Sequence, residues 1–510
     1  MPYLILYAVE KGRKKRCLPQ KTRIDGTASS PSSHPPVAKA TLILVSLRTT
    51  YRSYPSNLCE HELVAKSIES ARRRGGKTAS IAVPSPANAA APSGVTGDAA
   101  VVSRRAADRL RAGHVWVYKS DIVSIPSFQT EEASGEDDVP SSAPHFLPVT
   151  DQRGALLGTA LYSPVSEIAL RLLTPERLPD DSAWLELLGT RLRSAIAERA
   201  HVFLSEETNA CRLVFSEADA LPGIVVDKYG KLAIVQLLSK ALDDEAVRIV
   251  VTQILRETLH PATIVERPDP RIRELEQLSA ETGAAPLFAM NSEEPLLQTV
   301  FKLNGLNFHY DAGSGQKTGA FLDQRENYAA AARYAHGEAL DICTYQGGFA
   351  LHLARTCSRV TGVDVSHAAL EVAERNLAAN SGLAANVDWV EANAFDLLRD
   401  WSETGAQYDT IVLDPPAFAK SKRAVDGALR GYKELNLRAM KMLRPGGILV
   451  TCSCSHHVSG ADFQAVVAAA AGDAGRRVRL LERRGAAADH PVVLTIPETE
   501  YLKCLICRVD

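Results

Sequence analysis

The chain has 510 residues, 45% of them hydrophobic and 23% charged, with a formal net charge of −2. That length exceeds what one hydrophobic core organises and predicts two or three domains, and no run reaches the roughly eighteen uninterrupted apolar residues of a membrane-spanning helix. Near-neutrality names no partner, yet it does not exclude RNA, because attraction to phosphate depends on a local basic patch rather than on the sum. Nine cysteines, an odd and scattered set, lack the framework of a small secreted scaffold and point to a reducing, cytoplasmic setting.

Residues 1–97 mix basic clusters at 11–16 and 72–77 with Ser, Pro and Ala tracts, which reads as a disordered extension. Its short apolar run precedes the basic cluster, the reverse of the order in a secretory signal. From about residue 101 the pattern changes to short β-like runs at 114–118, 147–149, 158–162 and 168–173, with an acidic, polar surface loop at 129–142. These runs predict a small β-rich domain over residues 98–174. Helices at 184–199 and 244–258 and strands at 223–226 and 232–237 then predict an α+β middle domain over 175–302.

Residues 303–510 repeat strand and helix. Strands are predicted at 339–343, 360–363, 387–390, 410–413 and 448–452, and helices at 349–356, 367–380 and 425–443. Such alternation implies an α/β domain with a parallel sheet covered on both faces, whose ligands sit beyond the C-terminal ends of the strands. The chemistry-bearing residues fall at those ends. After the first strand stands DICTYQGGF (341–349), with the acidic Asp341 and the paired Gly347 and Gly348 of a tight turn. About twenty residues on, Asp364 follows the second strand, where a carboxylate can accept from both ribose hydroxyls. A glycine-rich turn by itself fits a dinucleotide equally well. EANAF (391–395) follows the third strand and DPPAF (414–418) the fourth. Pro415 and Pro416 stiffen a turn that presents Asp414 at a pocket edge, with Phe418 placed to stack on a base. An enzyme that grips an extruded base needs such an element, and a dinucleotide-dependent dehydrogenase does not.

On these motifs the chain resembles the bacterial large-subunit (23S) ribosomal RNA cytosine-C5 methyltransferases that carry an N-terminal PUA-type domain. The resemblance rests on GQKTGAFLDQREN (315–327), the 341–349 turn, DPPAFAKSK (414–422), TCSCSH (451–456) and PETEYLK (497–503). GHVW (113–116) and EADALPGIVVD (217–227) extend it upstream, so that it covers about residues 100–510. It implies a Rossmann-like class I methyltransferase domain, a PUA-like RNA-binding domain over 98–174, S-adenosylmethionine as cofactor, and large-subunit ribosomal RNA as partner. It further implies donor binding by Gln316, Lys317, Thr318, Phe321, Asp323, Arg325, Asp341, Tyr345, Gly347, Gly348, Asp364, Asn393 and Asp414. Asn393 stands where the family usually has an acid, and its carbonyl oxygen can still accept from the adenine amine. The target base falls to Pro415, Pro416, Phe418, Lys420 and Lys422. Arg423, Arg430 and Lys433 stand near enough to neutralise phosphates. The extension 1–97 has no counterpart in the family pattern, no membrane contact is expected, and a homodimer is compatible with the pattern.

Carbon 5 of cytosine is too electron-poor to attack a sulfonium methyl until a nucleophile adds at carbon 6, a task suited to a thiolate. The family motif makes Cys454 that nucleophile, with Cys452 deeper on the same face, and Asp414 the group that holds the base and transfers a proton to N3. Other RNA cytosine-C5 enzymes carry a second cysteine directly after the proline of this turn, where this chain has Pro416 and Ala417. Two competing readings are amino methylation of guanine or adenine, which has no use for Cys454, and a non-catalytic RNA-binding or ribosome-assembly factor. A metal site is not expected, since Cys452, Cys454, His456 and His457 alternate on one extended segment and cannot close a tetrahedron. Cys504 and Cys507, three residues apart on a strand, face opposite ways and make a poor redox pair.

Overall fold

The computed structural model describes residues 98–126, 145–278, 283–313, 320–383, 385–419 and 421–510. The expected extension 1–97, the 129–142 loop, and Gln316, Lys317, Thr318 and Lys420 lie outside these residues. None of the described helices is long and apolar enough to cross a membrane.

The first described region is a six-stranded sheet, Ala100–Val102 to Ile168–Thr174, with the helix Arg104–Arg111 against it. The helix starts at Ser103, whose hydroxyl accepts from the Ala106 N–H (3.2 Å), a standard N-cap arrangement. Trp116 is buried in this region, and its indole N–H donates to Glu217 Oε1 of the following region (2.9 Å). A five-stranded sheet, Ala210–Phe215 to Ala285–Ala289, follows, packed on the helices Asp181–Glu198 and Glu245–Leu259. The hairpin Gln298–Leu303 with Leu306–Asp311 then leads into the last region. Its Tyr310 stacks on Tyr229 of the middle sheet at 4.0 Å and 7°, so one continuous core joins the two.

The C-terminal sheet has seven strands. In chain order they are β1 (Glu338–Ile342), β2 (Arg359–Asp364), β3 (Asn386–Glu391), β4 (Tyr408–Leu413), β5 (Leu443–Ser453), β6 (Val478–Arg484) and β7 (Lys503–Val509). They lie side by side as β3-β2-β1-β4-β5-β7-β6, the first five parallel and β7 antiparallel to both neighbours. The helices are α1 (Arg325–Tyr334), α2 (Gly348–Leu353), α3 (His367–Ala378), α4 (Ala394–Thr404), α5 (Val425–Met442) and α6 (Gly460–Asp473). Leu340, Ile342, Ile411, Leu413 and Leu449 of β1, β4 and β5 are buried. Runs of this kind form strands covered on both faces, and each such side chain contributes about 1.5–3 kcal/mol. The floor beneath the strand ends is therefore rigid.

Three of these helices, α1, α4 and α6, are absent from the sequence prediction, though α4 and α6 carry start signals. Asn393 caps α4, and Ser459 caps α6 in a reciprocal box with Asp462. The strand order reverses between β1 and β4, which opens a crevice where their C-terminal loops diverge.

Candidate active site

The loop from β1 to α2 forms one wall of that crevice. Cys343 and Tyr345 adopt φ of 63° and 52°, and Gly347 has φ of 83°. Two non-glycine residues in the left-handed region within three positions is a strained arrangement of the sort found at functional sites. It is held from beneath by Asp341, which is fully buried. Its Oδ2 accepts from the Thr344 hydroxyl (2.6 Å) and the Ala350 N–H (2.9 Å). Burial, then the nearby Asp364, raise its carboxyl to about 7 against the effect of those two bonds. Asp341 thus shapes the loop from behind. Gly348 has to be glycine because a Cβ there would lie 2.5 Å from the Tyr328 hydroxyl.

Asp364, half-buried at the end of β2, accepts the Tyr345 N–H on Oδ2 and the Ser366 N–H on Oδ1, both at 2.9 Å. Each oxygen keeps a second acceptor position, which suits a pair of vicinal hydroxyls. The Phe321 ring, 42% exposed, lies 5.1 Å from the Tyr345 ring across the mouth. Together with Thr344, Gly348 and Asp414 these rings line a narrow cleft.

Asp414 closes the cleft on the β4 side. Its Oδ2 accepts from Gln324 Nε2 (3.0 Å). Burial first, then Asp323 and Asp341, push its carboxyl up to about 8. A carboxyl so placed is protonated at neutral pH and can give a proton to a partner that becomes basic. Asp323 Oδ2 in turn accepts from the Tyr501 hydroxyl (2.6 Å).

Cys454 is half-buried one residue past β5, its Sγ 3.9 Å from the carbonyl oxygen of Pro415 in the Asp414 turn. Two residues back, Cys452 is fully buried opposite Cys504 of β7. Burial and then Cys504 push the Cys452 thiol well above its ordinary value, which leaves it inert as a nucleophile. The arrangement sets one half-buried thiol against the turn that carries Asp414, whose protonated carboxyl lines the cleft.

Some expected site residues stand elsewhere. Arg325 is buried and directs its guanidinium at Asp489, 3.1 Å away, not into the cleft. Desolvating a guanidinium requires a fixed counter-ion, and Asp489 is that ion. Phe418 does not stand clear to stack on a base. Its ring packs on Tyr432 (4.7 Å) and Phe395 (5.8 Å) as part of the core under α5. The exposed Asn393 uses its side-chain oxygen to accept the Phe395 and Asp396 N–H groups (2.9 and 3.3 Å). The carbonyl expected to meet an adenine amine is thus engaged as a helix cap, because an unsatisfied helix N-terminus takes the nearest acceptor. Pro415 is buried, Pro416 exposed, and Lys422 exposed at the start of the turn into α5. Gln324, Tyr501 and Lys503 join the site without having been singled out by the sequence. Gln324 lies inside the 315–327 segment, flanked by charged residues that draw the eye first.

A larger cavity of about 200 Å³ lies away from this cleft, between the first two sheets and the 496–499 segment. Its charged groups satisfy one another, Arg171 standing 3.6 Å from Glu276 and 3.9 Å from Glu217. No side chain there resembles a reacting group.

Residues 275–506 match the model of an S-adenosylmethionine-dependent methyltransferase family, and residues 101–175 that of a PUA-like domain. The chain is 37% identical over 402 residues to the ribosomal RNA large subunit methyltransferase I of Photobacterium profundum, covering 78% of this chain and 96% of that protein. Against the protein of the same name from Escherichia coli O127:H6 it is 34% identical over 399 residues, 78% of this chain and 95% of that protein. In fold it is similar to a SAM-dependent methyltransferase from Streptococcus mutans, with 18% identity, TM-score 0.64, and coverage of 80% of this chain and 99% of the other.

Proposed function

Because the chain belongs to the ribosomal RNA large subunit methyltransferase I family, with its S-adenosylmethionine-dependent methyltransferase and PUA-like domains, we propose that it forms 5-methylcytosine in large-subunit ribosomal RNA through a covalent bond from Cys454 to carbon 6. The protein is an S-adenosylmethionine-dependent ribosomal RNA methyltransferase. One observation carries the finer reading: the Cys454 thiol stands 3.9 Å from the carbonyl of Pro415, against a turn whose Asp414 is held protonated. Comparing 5-methylcytosine in large-subunit ribosomal RNA from cells with and without the gene, by mass spectrometry, tests it. An unchanged map sinks the reading.

The cleft suits the donor. Asp364 offers two acceptor oxygens to a ribose, Phe321 and Tyr345 supply ring faces at the mouth, and the turn at Gly347 and Gly348 leaves the floor close to the strand ends. S-adenosylmethionine supplies a sulfonium methyl there. The Cys454 thiolate adds its electron pair to carbon 6, and Asp414 gives a proton to N3, which turns carbon 5 into an enamine-type nucleophile. After methyl transfer the C5 proton passes to solvent water, its bonding electrons form the C5–C6 double bond as the carbon–sulfur bond breaks and releases the Cys454 thiolate, and N3 returns its proton to Asp414. Lys422 and Arg423, exposed at the entry to α5, are placed to meet backbone phosphate beside the target. The reducing cytoplasm is the setting that keeps such a thiol active, and none of the seven described cysteines is disulfide-bonded.

Asp364→Ala is expected to weaken S-adenosylmethionine binding about tenfold to a hundredfold, the loss of one or two hydrogen bonds to a charged acceptor. Calorimetric titration with the donor alone reads this, and unchanged affinity removes the ribose role. A second expected result concerns the extension: a chain beginning at Asp98 should keep wild-type turnover, since the PUA-like match starts at 101 and the first described strand at Ala100. A folded truncation that loses more than about tenfold activity would instead show the basic arm to be an RNA-binding element.

A further inference from the structure

The segment leading into α1 and the outer strand β6 reach the Asp414 carboxyl through side-chain amides. Arg484 of β6 donates its Nε–H to Asn327 Oδ1 (2.9 Å). Asn327 Nδ2 donates to the carbonyl oxygen of Gly485 (3.0 Å) and to Gln324 Oε1 (2.7 Å). Gln324 Nε2 then donates to Asp414 Oδ2 (3.0 Å). Asn327 and Gln324 are buried, and Arg484 is itself held by Glu482 Oε2 (2.8 Å).

An amide can turn over and exchange its oxygen for its nitrogen, so its direction has to come from partners of fixed polarity. Asn327 has both kinds. A guanidinium only donates and a backbone carbonyl only accepts, which leaves Asn327 one orientation. Its other N–H meets Gln324 and obliges that amide to turn its oxygen to Asn327 and its nitrogen to Asp414. The Cys452 thiol also faces the Gln324 amide, and as a weak donor and weak acceptor it sets no direction.

We propose that Asn327 is a positioning residue that, through Gln324, keeps the Asp414 proton on Oδ1, an inference that rests on Asp414 being the proton donor to N3. A neutral carboxyl has one O–H, and its carbonyl oxygen is the better acceptor. With Oδ2 accepting from Gln324, the hydrogen sits on Oδ1, the oxygen of this cleft-lining residue that Gln324 does not engage. As carbon 6 is attacked, the Oδ1–H bond breaks, its electron pair stays on the carboxylate and N3 takes the proton. A reversed Gln324 amide would present its own oxygen and draw the hydrogen onto Oδ2, away from the base. The polarity fixed at Arg484 and Gly485 thus decides which oxygen is the acid.

The experiment measures kcat on large-subunit ribosomal RNA, and donor affinity by calorimetry, with the whole protein. Asn327→Asp keeps the shape and the acceptor for Arg484 but offers Gln324 only oxygens, which reverses the amide. It should lower kcat at least about tenfold, toward the loss expected for a missing general acid, and leave donor affinity within about threefold. Asn327→Ser, smaller and uncharged, fixes neither direction and should lower kcat about threefold to tenfold. Either loss should vanish beside Asp414→Asn, because a residue that acts through the proton has nothing to act on once the proton is gone. A variant that binds the donor normally and keeps wild-type kcat overturns the inference. So does a loss that persists in full in the Asp414→Asn background, the mark of a merely structural role. Failure of the proton-donor reading is distinguishable, since Asp414→Asn alone would then keep wild-type kcat.

Discussion

Cys454→Ala is expected to lower methylation at least about a thousandfold, because carbon 5 stays unreactive without a nucleophile at carbon 6 and no other thiol can take over. Cys452 is the nearest alternative in sequence, but it is fully buried opposite Cys504, with its thiol pushed well above the ordinary value. Cys452→Ala should therefore change turnover less than about threefold and cost about 1 kcal/mol of stability through lost packing. RNA with 5-fluorocytosine at the target separates the two residues directly. Its C5 substituent cannot leave as a proton, so the wild-type enzyme should accumulate a protein–RNA adduct that migrates slowly on a denaturing gel. Cys454→Ala should give no adduct, and Cys452→Ala should give the wild-type amount. Near-wild-type methylation by Cys454→Ala would remove the covalent mechanism and make exocyclic amino methylation the leading account.

Asp414→Asn should lower kcat by about a hundredfold to ten-thousandfold, the range associated with a lost general acid. The amide keeps the shape and a donor but has no transferable proton. The pH profile carries the sharper expectation. Asp414 is raised to about 8 by burial, Asp323 and Asp341. The proton is therefore present below about pH 8 and lost above it, so wild-type activity should fall as pH rises through that value. In Asp414→Asn the residual activity should lack this Asp414-dependent limb. A wild-type rate still climbing well above pH 9 would show that the reaction does not need a protonated Asp414. The Gln324 hydrogen bond (3.0 Å) does not shape this limb, because a primary amide donates across the same pH range.

The parallel αβ region was legible because its signals are local. Apolar strand runs, the 341–349 turn and the proline-stiffened 414–418 turn each specify their own backbone within a few residues. Helix α4 was less so. Its start is written by Asn393, a residue equally suited to touching a ligand, and only the hydrogen bonds to Phe395 and Asp396 decide which use its oxygen has. Helix α6 could have been found from Ser459 and Asp462, whose spacing is that of a capping box.

The sequence by itself determined the domain class, the turns at the strand ends and the identity of the groups placed there, since turn chemistry and side-chain period act over short separations. Tertiary structure alone decided which of those groups face the cleft. Arg325 is drawn to Asp489, 164 positions away, and Phe418 to Tyr432 and Phe395, because a desolvated charge needs its counter-ion and an aromatic ring its packing partners. Strand order brought in the rest. Placing β7 antiparallel beside β5 sets Lys503 opposite Ser453 and Tyr501 against Asp323. Pairing between strands fifty residues apart is settled by which apolar faces can be covered together, a property of the whole sheet that no local run of residues records.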